Sequence, residues 1–436
     1  MSFLKNICGT LGTKAIFIFC GVISGMITAR WLGPHDRGIL AVATSLPATI
    51  WMLSSFGINQ ANVYYIAKKQ LPLPQIVSNS FIVPLCSGSV ICLLLWVTKN
   101  SIILKYVPTI NSHYLALILA LVPLMMIQNS YLGVLRGVEK FSLINTRQTA
   151  RTIGGVIVTA CILIGFHGTI ISLVSSIIVI EFIFMAWILF EVNKISKIDF
   201  SFHKETATHI FRFGVKSYFQ NIIGYLHNRI DIYMIAFFLK ASDVAFYDIA
   251  VITGELLLFL PQSITFVILP KLVQLEKENK STTSLQIGRI TFLITVALGF
   301  ILAISGNFLI RSIYGIDYAD AYPALLCLLP GLVISCLNSV TISYFTSMHH
   351  QKIPIVLSLL CLAANIVTNY YLIPLYGIMG AAISSSITYS LYSVSLILAF
   401  KYENHTRLRD AFILKKDDIL LIKKMLFNLR APRHGC

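Results

Sequence analysis

Leu163-Ile164-(x3)-Gly168-(x6)-Ser175-Ser176 recurs 209 residues later as Leu372-Ile373-(x3)-Gly377-(x6)-Ser384-Ser385. A second set, Ala29, Leu32, Asp36, Ala43 and Leu53, recurs at an offset of 207 as Ala236, Leu239, Asp243, Ala250 and Leu260. Two separate stretches sharing nearly one offset point to a duplicated unit, and both copies lie in apolar sequence. A duplicated membrane unit is the pattern of a transporter whose two lobes move against each other.

The surrounding composition agrees. The chain is 56% hydrophobic and only 12% charged, with a mean hydropathy of +0.79. A soluble globular domain does not have this balance. The apolar runs are about 18–25 residues long, enough to cross a hydrocarbon core of roughly 30 Å as helices. A chain in lipid must satisfy its backbone polar groups internally, so helical spans are expected. The ten-residue alternation of a membrane β-barrel is absent. About twelve spans are expected, near 12–32, 38–57, 80–98, 114–135, 152–167, 168–190, 215–239, 245–270, 288–310, 322–346, 353–373 and 377–400. The first has the flanks of a signal peptide, but Met26-Ile27-Thr28-Ala29-Arg30 lacks a small-x-small cleavage site, so it reads as a retained helix. The predicted fold is an all-α integral membrane protein: six spans in lobe 1–205, six in lobe 206–401, and a basic tail 402–436.

Charge placement sets the expected topology. Twenty-seven of the 34 Lys and Arg residues fall on the side that holds Lys5, Lys14 and the tail, against six opposite and Arg229 within a span. By the positive-inside rule, both termini are then cytoplasmic. The net charge of +16 is thus mainly a topology signal, and no soluble basic surface is left over for nucleic acid. The nine cysteines show neither CxxC nor Cys/His spacing, so neither a disulfide framework nor a metal site is expected. No loop is long enough for a catalytic domain, which argues against an enzyme. In the tail, Ile419, Leu420, Ile422, Met425, Leu426 and Leu429 alternate in blocks with Lys415, Lys416, Lys423, Lys424 and Arg430. This reads either as an amphipathic helix on anionic membrane lipids or as a frayed basic tail.

Ionisable groups inside spans are costly and are the first candidates for function. Span seven carries His227, Arg229 and Asp231, and span eight carries Asp248 and Glu255. Arg229 and Glu255 are each about ten residues, roughly 15 Å, from the turn between these spans. One reading places them in a polar cavity between lobes, where Arg229 meets an anionic substrate and the carboxylates bind a coupling ion. The other is a buried Arg229–Glu255 bridge that keeps two helices in register. Glu181, midway along span six, is either a further ion-coupling candidate or a structural residue. Asn365 and Asn369, four apart in span eleven, either line the cavity or bond between helices, the second being preferred. Arg30 either attracts phosphate at the mouth or anchors the helix end beside Trp31, again the preferred reading.

These residues also form familiar motifs. Ala29-Arg30-Trp31-Leu32-Gly33-Pro34-(x2)-Arg37-Gly38 resembles the first periplasmic turn of bacterial polysaccharide flippases. That family exports undecaprenyl-diphosphate-linked O-antigen or capsule units and belongs to the multidrug/oligosaccharidyl-lipid/polysaccharide superfamily. Arg229-Ile230-Asp231, Phe246-Tyr247-Asp248-Ile249-Ala250 and Leu269-Pro270-Lys271-Leu272 resemble the opening of its second lobe. Tyr314-Gly315-(x2)-Tyr318-(x2)-Ala321 and Asn369-(x2)-Leu372-Ile373-Pro374-(x2)-Gly377-(x2)-Gly380-Ala381-Ala382 resemble later signatures. His35-Asp36 stands where the family more usually has paired acidic residues.

The resemblance implies a MATE-like fold in the bacterial inner membrane, with alternating access carrying an undecaprenyl-diphosphate-linked glycan from the cytoplasmic to the periplasmic leaflet. It implies no cofactor, a proton or sodium gradient as driving force, and a polysaccharide polymerase and chain-length regulator as partners. It also implies a cationic cleft, for which Arg229 is the one Lys or Arg expected well inside a span, assisted by Arg147 and Arg151 at the cytoplasmic mouth. The competing readings are an ion-coupled multidrug or metabolite antiporter of the same fold and an integral-membrane polymerase or ligase. A major-facilitator transporter is disfavoured because Gly57-Ile58-Asn59-Gln60, leading to Lys68-Lys69, lacks the Gly/Asp/Arg-rich loop expected there.

Overall fold

The computed structural model describes residues 2–404 apart from 102, 260, 265–271, 273 and 274. The tail segment 405–436 and the motif residues 269–271 lie outside the described residues. The described chain is built from helices: α1 (Ser2–Ser54), α2 (Ile58–Ala67), α3 (Leu73–Val97), α4 (Ile103–Tyr106), α5 (Ser112–Gly137), α6 (Phe141–Ala160), α7 (Ile170–Ile195), α8 (Lys204–Phe238), α9 (Ala241–Glu255), α10 (Lys277–Ile313), α11 (Ala321–Ser347), α12 (Lys352–Tyr376) and α13 (Ile378–Asn404). Nine helices among the described residues are long and apolar enough to cross a membrane. The first of these, Gly12–Ser54, is interrupted at Gly33, whose φ of 73° is open to glycine without a Cβ clash. Pro34 then opens the second half, where its missing N–H costs nothing. Large apolar side chains such as Leu93 and Val97 on α3, Phe182 and Phe190 on α7, and Phe300 and Phe308 on α10 are exposed, as a lipid-facing surface requires.

The repeat is visible as structure. Residues 163–176 contain the turn between α6 and α7, and residues 372–385 contain the turn between α12 and α13. The other pair falls on the Gly33 break and on the α8–α9 turn. Two of the boundaries that differ from expectation lie in helices that carry candidate residues. The membrane-crossing helix predicted from 152 begins at Phe141, and α8 begins at Lys204 instead of 215. In both places polar residues depress the hydropathy (Arg147, Gln148 and Arg151 in α6; Arg212 and Lys216 in α8) although the helix continues through them.

The chain clusters into two compact units. The first comprises Met1–Ile249, Ile310–Asp320 and Ile373–Ile378. Its core is assembled on α5, where Ile127, Tyr131, Val134 and Leu135 pack with Ile58 and Ala61 of α2, Ile76 and Val77 of α3, and Ile188 and Val192 of α7. Gly133 lets α2 approach, since a Cβ there would lie 2.6 Å from the Asn59 carbonyl oxygen. Asn62 of α2 fastens the same contact by donating to Ser80 Oγ at 2.8 Å and to the Ser130 carbonyl at 3.1 Å. The segment leading into α8 is held on α3 by a reciprocal pair: Asn79 Nδ2 donates to the His203 carbonyl, and His203 N–H donates to Asn79 Oδ1.

The second unit comprises Ala250–Leu309, Ala321–Leu372 and the described residues from Met379 onward. Tyr344 and Phe345 of α11 pack with Leu396 and Phe400 of α13. Higher on the same pair, a Cβ on Gly331 would lie 2.5 Å from Ser386 Cα. α12 joins α13 through Asn365 Nδ2, which donates to Thr388 Oγ1 at 3.3 Å, and through the Thr368–Ser384 hydroxyl pair.

Candidate functional site

The first unit contains two clusters of buried charge. One is made by the motif residues of three distant segments. Arg37 Nη2 donates to Asp248 Oδ2 at 2.7 Å, with both side chains below 10% exposure. At the neighbouring position, Tyr247 donates to Asp231 Oδ2 at 2.8 Å, and Asp231 is itself buried. Gly38 touches the start of α9 so closely that a Cβ would lie 1.7 Å from the Ala241 carbonyl oxygen. Tyr318 closes the third side by donating its hydroxyl to the Ala29 carbonyl at 2.9 Å. Arg30 completes the arrangement with Nε on the Ile313 carbonyl at 3.0 Å and Nη2 on the Ser312 carbonyl. A guanidinium on the last carbonyls of α10 satisfies acceptors that the helix leaves open and complements its dipole. The turn motif thus folds as a junction of α1, α8, α9 and the 310–320 segment.

The other cluster lies among α5, α6 and α7. Glu181, 3% exposed, takes Nε of Arg151 on Oε1 at 2.9 Å and receives Arg151 Nη2 on the same oxygen. Its Oε2 accepts from Gln128 Nε2 at 2.8 Å. Gln128 in turn presents Oε1 to Arg147 Nη2, while Arg147 Nε donates to the Phe184 carbonyl at 3.3 Å. Arg147 lies about 9 Å and Arg151 about 15 Å along α6, at 1.5 Å per residue. The helix that carries these arginines begins at Phe141, earlier than expected, and its polar face turns to α5 and α7. Arg151 and Glu181 also border a cleft of about 250 Å³ between α1, α6 and α7.

The remaining candidates fall in both units. His227 is buried and Arg229 half-buried on α8, in the first unit. Glu255 is exposed at the end of α9 and belongs to the second unit. Asn365 and Asn369 are fully buried in the second unit, with Asn369 Nδ2 donating to Asn365 Oδ1 at 3.1 Å. Three residues of the two clusters escape the sequence reading. Arg37 sits in the turn motif yet is buried, Tyr247 sits beside an acid, and Gln128 is a lone amide in an apolar run. Only Gln128 carries an independent signal, since an amide inside a span needs partners.

The profile of the family described as "Polysaccharide biosynthesis protein" matches residues 4–276, which include the buried charged side chains of both clusters. The chain belongs to this family. Its fold is MATE-like, and nine helices among the described residues are long and apolar enough to cross a membrane. Among its relatives, a putative O-antigen transporter of Shigella flexneri is 24% identical over 407 residues, covering 89% of this chain and 95% of that one. A probable low-salt glycan biosynthesis flippase of Haloferax volcanii is 24% identical over 375 residues, covering 84% and 76%. The fold is similar to that of the lipid II flippase MurJ in its inward closed conformation, with a TM-score of 0.75, 15% identity and coverage of 99% and 94%. It is also similar to an inward-facing multidrug resistance MATE family transporter, with a TM-score of 0.71, 15% identity and coverage of 89% and 94%.

Proposed function

We propose that this family member flips a lipid-linked oligosaccharide, an undecaprenyl-diphosphate-linked repeat unit of O-antigen or a related surface polysaccharide, from the cytoplasmic to the periplasmic leaflet. The observation that carries the reading is the Arg147–Gln128–Glu181–Arg151 cluster beside an open cleft in otherwise apolar helices. Two guanidinium groups held inside a membrane bundle suit a diphosphate, because each can fork onto two oxygens and stays charged in any surroundings. Both curated relatives described above are named for glycan or O-antigen transport, which supports the same class of cargo. In this reading the chain has twelve spans in two six-helix lobes divided near residue 205, cytoplasmic termini, no cofactor, and a proton or sodium gradient as its driving force. Arg229 is a second contact for the diphosphate, and Asp231 and Glu255 couple the ion.

The test is a clean deletion in a strain with no second flippase. Lipid-linked repeat units should accumulate on the cytoplasmic side and surface polysaccharide should be lost. Normal surface polysaccharide in that strain overturns the reading. The fold likeness to a multidrug transporter supports an ion-coupled antiporter as the second reading. Drug sensitivity of the deletion without a polysaccharide defect would favour it.

A further inference from the structure

The charges of the α5–α6–α7 cluster do not balance. Arg147 and Arg151 contribute two permanent positive charges, and Glu181 returns one negative charge. The described side chains of the cluster therefore carry a net positive charge in low-dielectric surroundings, where an uncompensated charge is costly. The single carboxylate is also unevenly shared. Its Oε1 is taken up by Arg151, whereas Arg147 reaches it only through the amide of Gln128. Arg151 is one-third exposed and Arg147 is buried, so only Arg151 can present its guanidinium to a ligand in the cleft. Ser24 and Thr159 line the same cleft and add hydroxyl donors, whereas the hydroxyls of Thr152 and Ser176 there already donate to the Gln148 and Leu173 carbonyls.

We propose that Glu181 is a resident stand-in for the substrate's anion, and that a lipid diphosphate docks in this cleft by displacing it from Arg151. The assignment of the anion as a diphosphate rests on the flippase reading. A diphosphate diester brings about two negative charges and several acceptor oxygens, enough to take both donor nitrogens of Arg151 and hydroxyls of the cleft. Glu181 does not leave on exchange, because Gln128 still holds Oε2. Arg147, behind Gln128, acts through its field and positions the amide. Occupancy by an internal carboxylate keeps a cation in lipid neutralised between transport cycles, and it sets the affinity low enough for release.

The test uses the purified full-length protein in phosphatidylcholine nanodiscs, with farnesyl diphosphate as the probe and binding measured by calorimetry. Glu181→Gln keeps the side-chain size and an acceptor for Gln128 but removes the competing charge. Affinity for the probe should rise at least about tenfold, which corresponds to 1.4 kcal/mol. Arg151→Gln should abolish binding, and the Arg151→Gln/Glu181→Gln double variant should be as weak as the single. Should Arg151→Gln not fold, Arg151→Lys should fold and bind more weakly than wild type, having lost the fork. Unchanged or weaker binding by a folded Glu181→Gln overturns the proposal and leaves Glu181 a purely structural bridge. Nanodiscs containing phosphatidylglycerol separate the substrate from a headgroup: if that lipid blocks the probe outright, the site belongs to membrane lipid and the substrate assignment falls. The two readings fail separately. A tenfold gain without any glycan export in the complemented deletion strain removes the flippase reading, whereas normal export without the gain removes this site.

Discussion

A methyl group on Gly38 would overlap the Ala241 carbonyl, so the glycine of the turn motif is there for clearance between two backbones. Gly38→Ala should force α1 and α9 apart and sharply reduce the yield of folded protein in detergent, whereas Gly154→Ala, with open space around its Cα, should be accommodated. Beside it, Asp248→Asn leaves Arg37 buried without its counter-charge and should cost about 3–5 kcal/mol, read as a large fall in melting temperature. Replacing both partners together, Arg37→Met with Asp248→Leu, should recover most of that loss, because two matched apolar groups need no compensation. Arg229 is tested on transport instead. Arg229→Ala should insert normally yet export at least about tenfold more slowly, the worth of one hydrogen bond to a charged group. Arg229→Lys keeps the charge without the fork and should fall between. Wild-type export by Arg229→Ala would exclude an essential contact. At this scale the sequence is only partly legible. Asp248 is conspicuous as an acid in an apolar run, but its partner lies 211 residues away in a turn, and no local spacing rule connects them.

At the scale of elements, Gly33 allows one continuous helical stretch to serve as two, and the φ of 73° there is closed to other residues without strain. Gly33→Ala should cost about 1–3 kcal/mol and show itself as a lower melting temperature, although the helicity of isolated α1 peptides should rise. The α12–α13 seam makes a different prediction. Asn365→Leu removes a weak interhelical bond and should cost only about 1 kcal/mol, so a severe export defect with intact stability would place Asn365 in the transport pathway. Most helices are legible from hydropathy because their lipid faces must be apolar, as Phe300 and Phe308 on α10 show. The start of α6 is illegible for the same reason. Arg147 and Arg151 face α5 and α7, and a window average cannot distinguish a polar face inside a bundle from the end of a span. The duplication is legible because both copies place turns at the same spacing, whereas the Arg–Gln–Glu–Arg cluster has no counterpart within the repeated positions.

At the scale of the whole molecule, the proposed ion coupling predicts that neutral substitutions at Asp231 and Glu255 abolish the dependence of export on the proton or sodium gradient. Export that still follows the gradient in both variants would assign coupling elsewhere. The Arg37–Asp248 junction has a further consequence for how the chain is made. At a synthesis rate of about 5–20 residues per second, roughly 10–40 s separate the appearance of Arg37 from that of Asp248. Throughout that interval the nascent protein holds a cation whose partner has not yet been translated. If quality control in the membrane reads that charge, an unfinished chain is distinguishable from a finished product until α9 arrives. Nascent chains arrested before residue 241 should be degraded faster than chains arrested beyond Glu255, and Arg37→Met should narrow that difference. Equal turnover of the two arrested chains would show that quality control in the membrane does not read this charge.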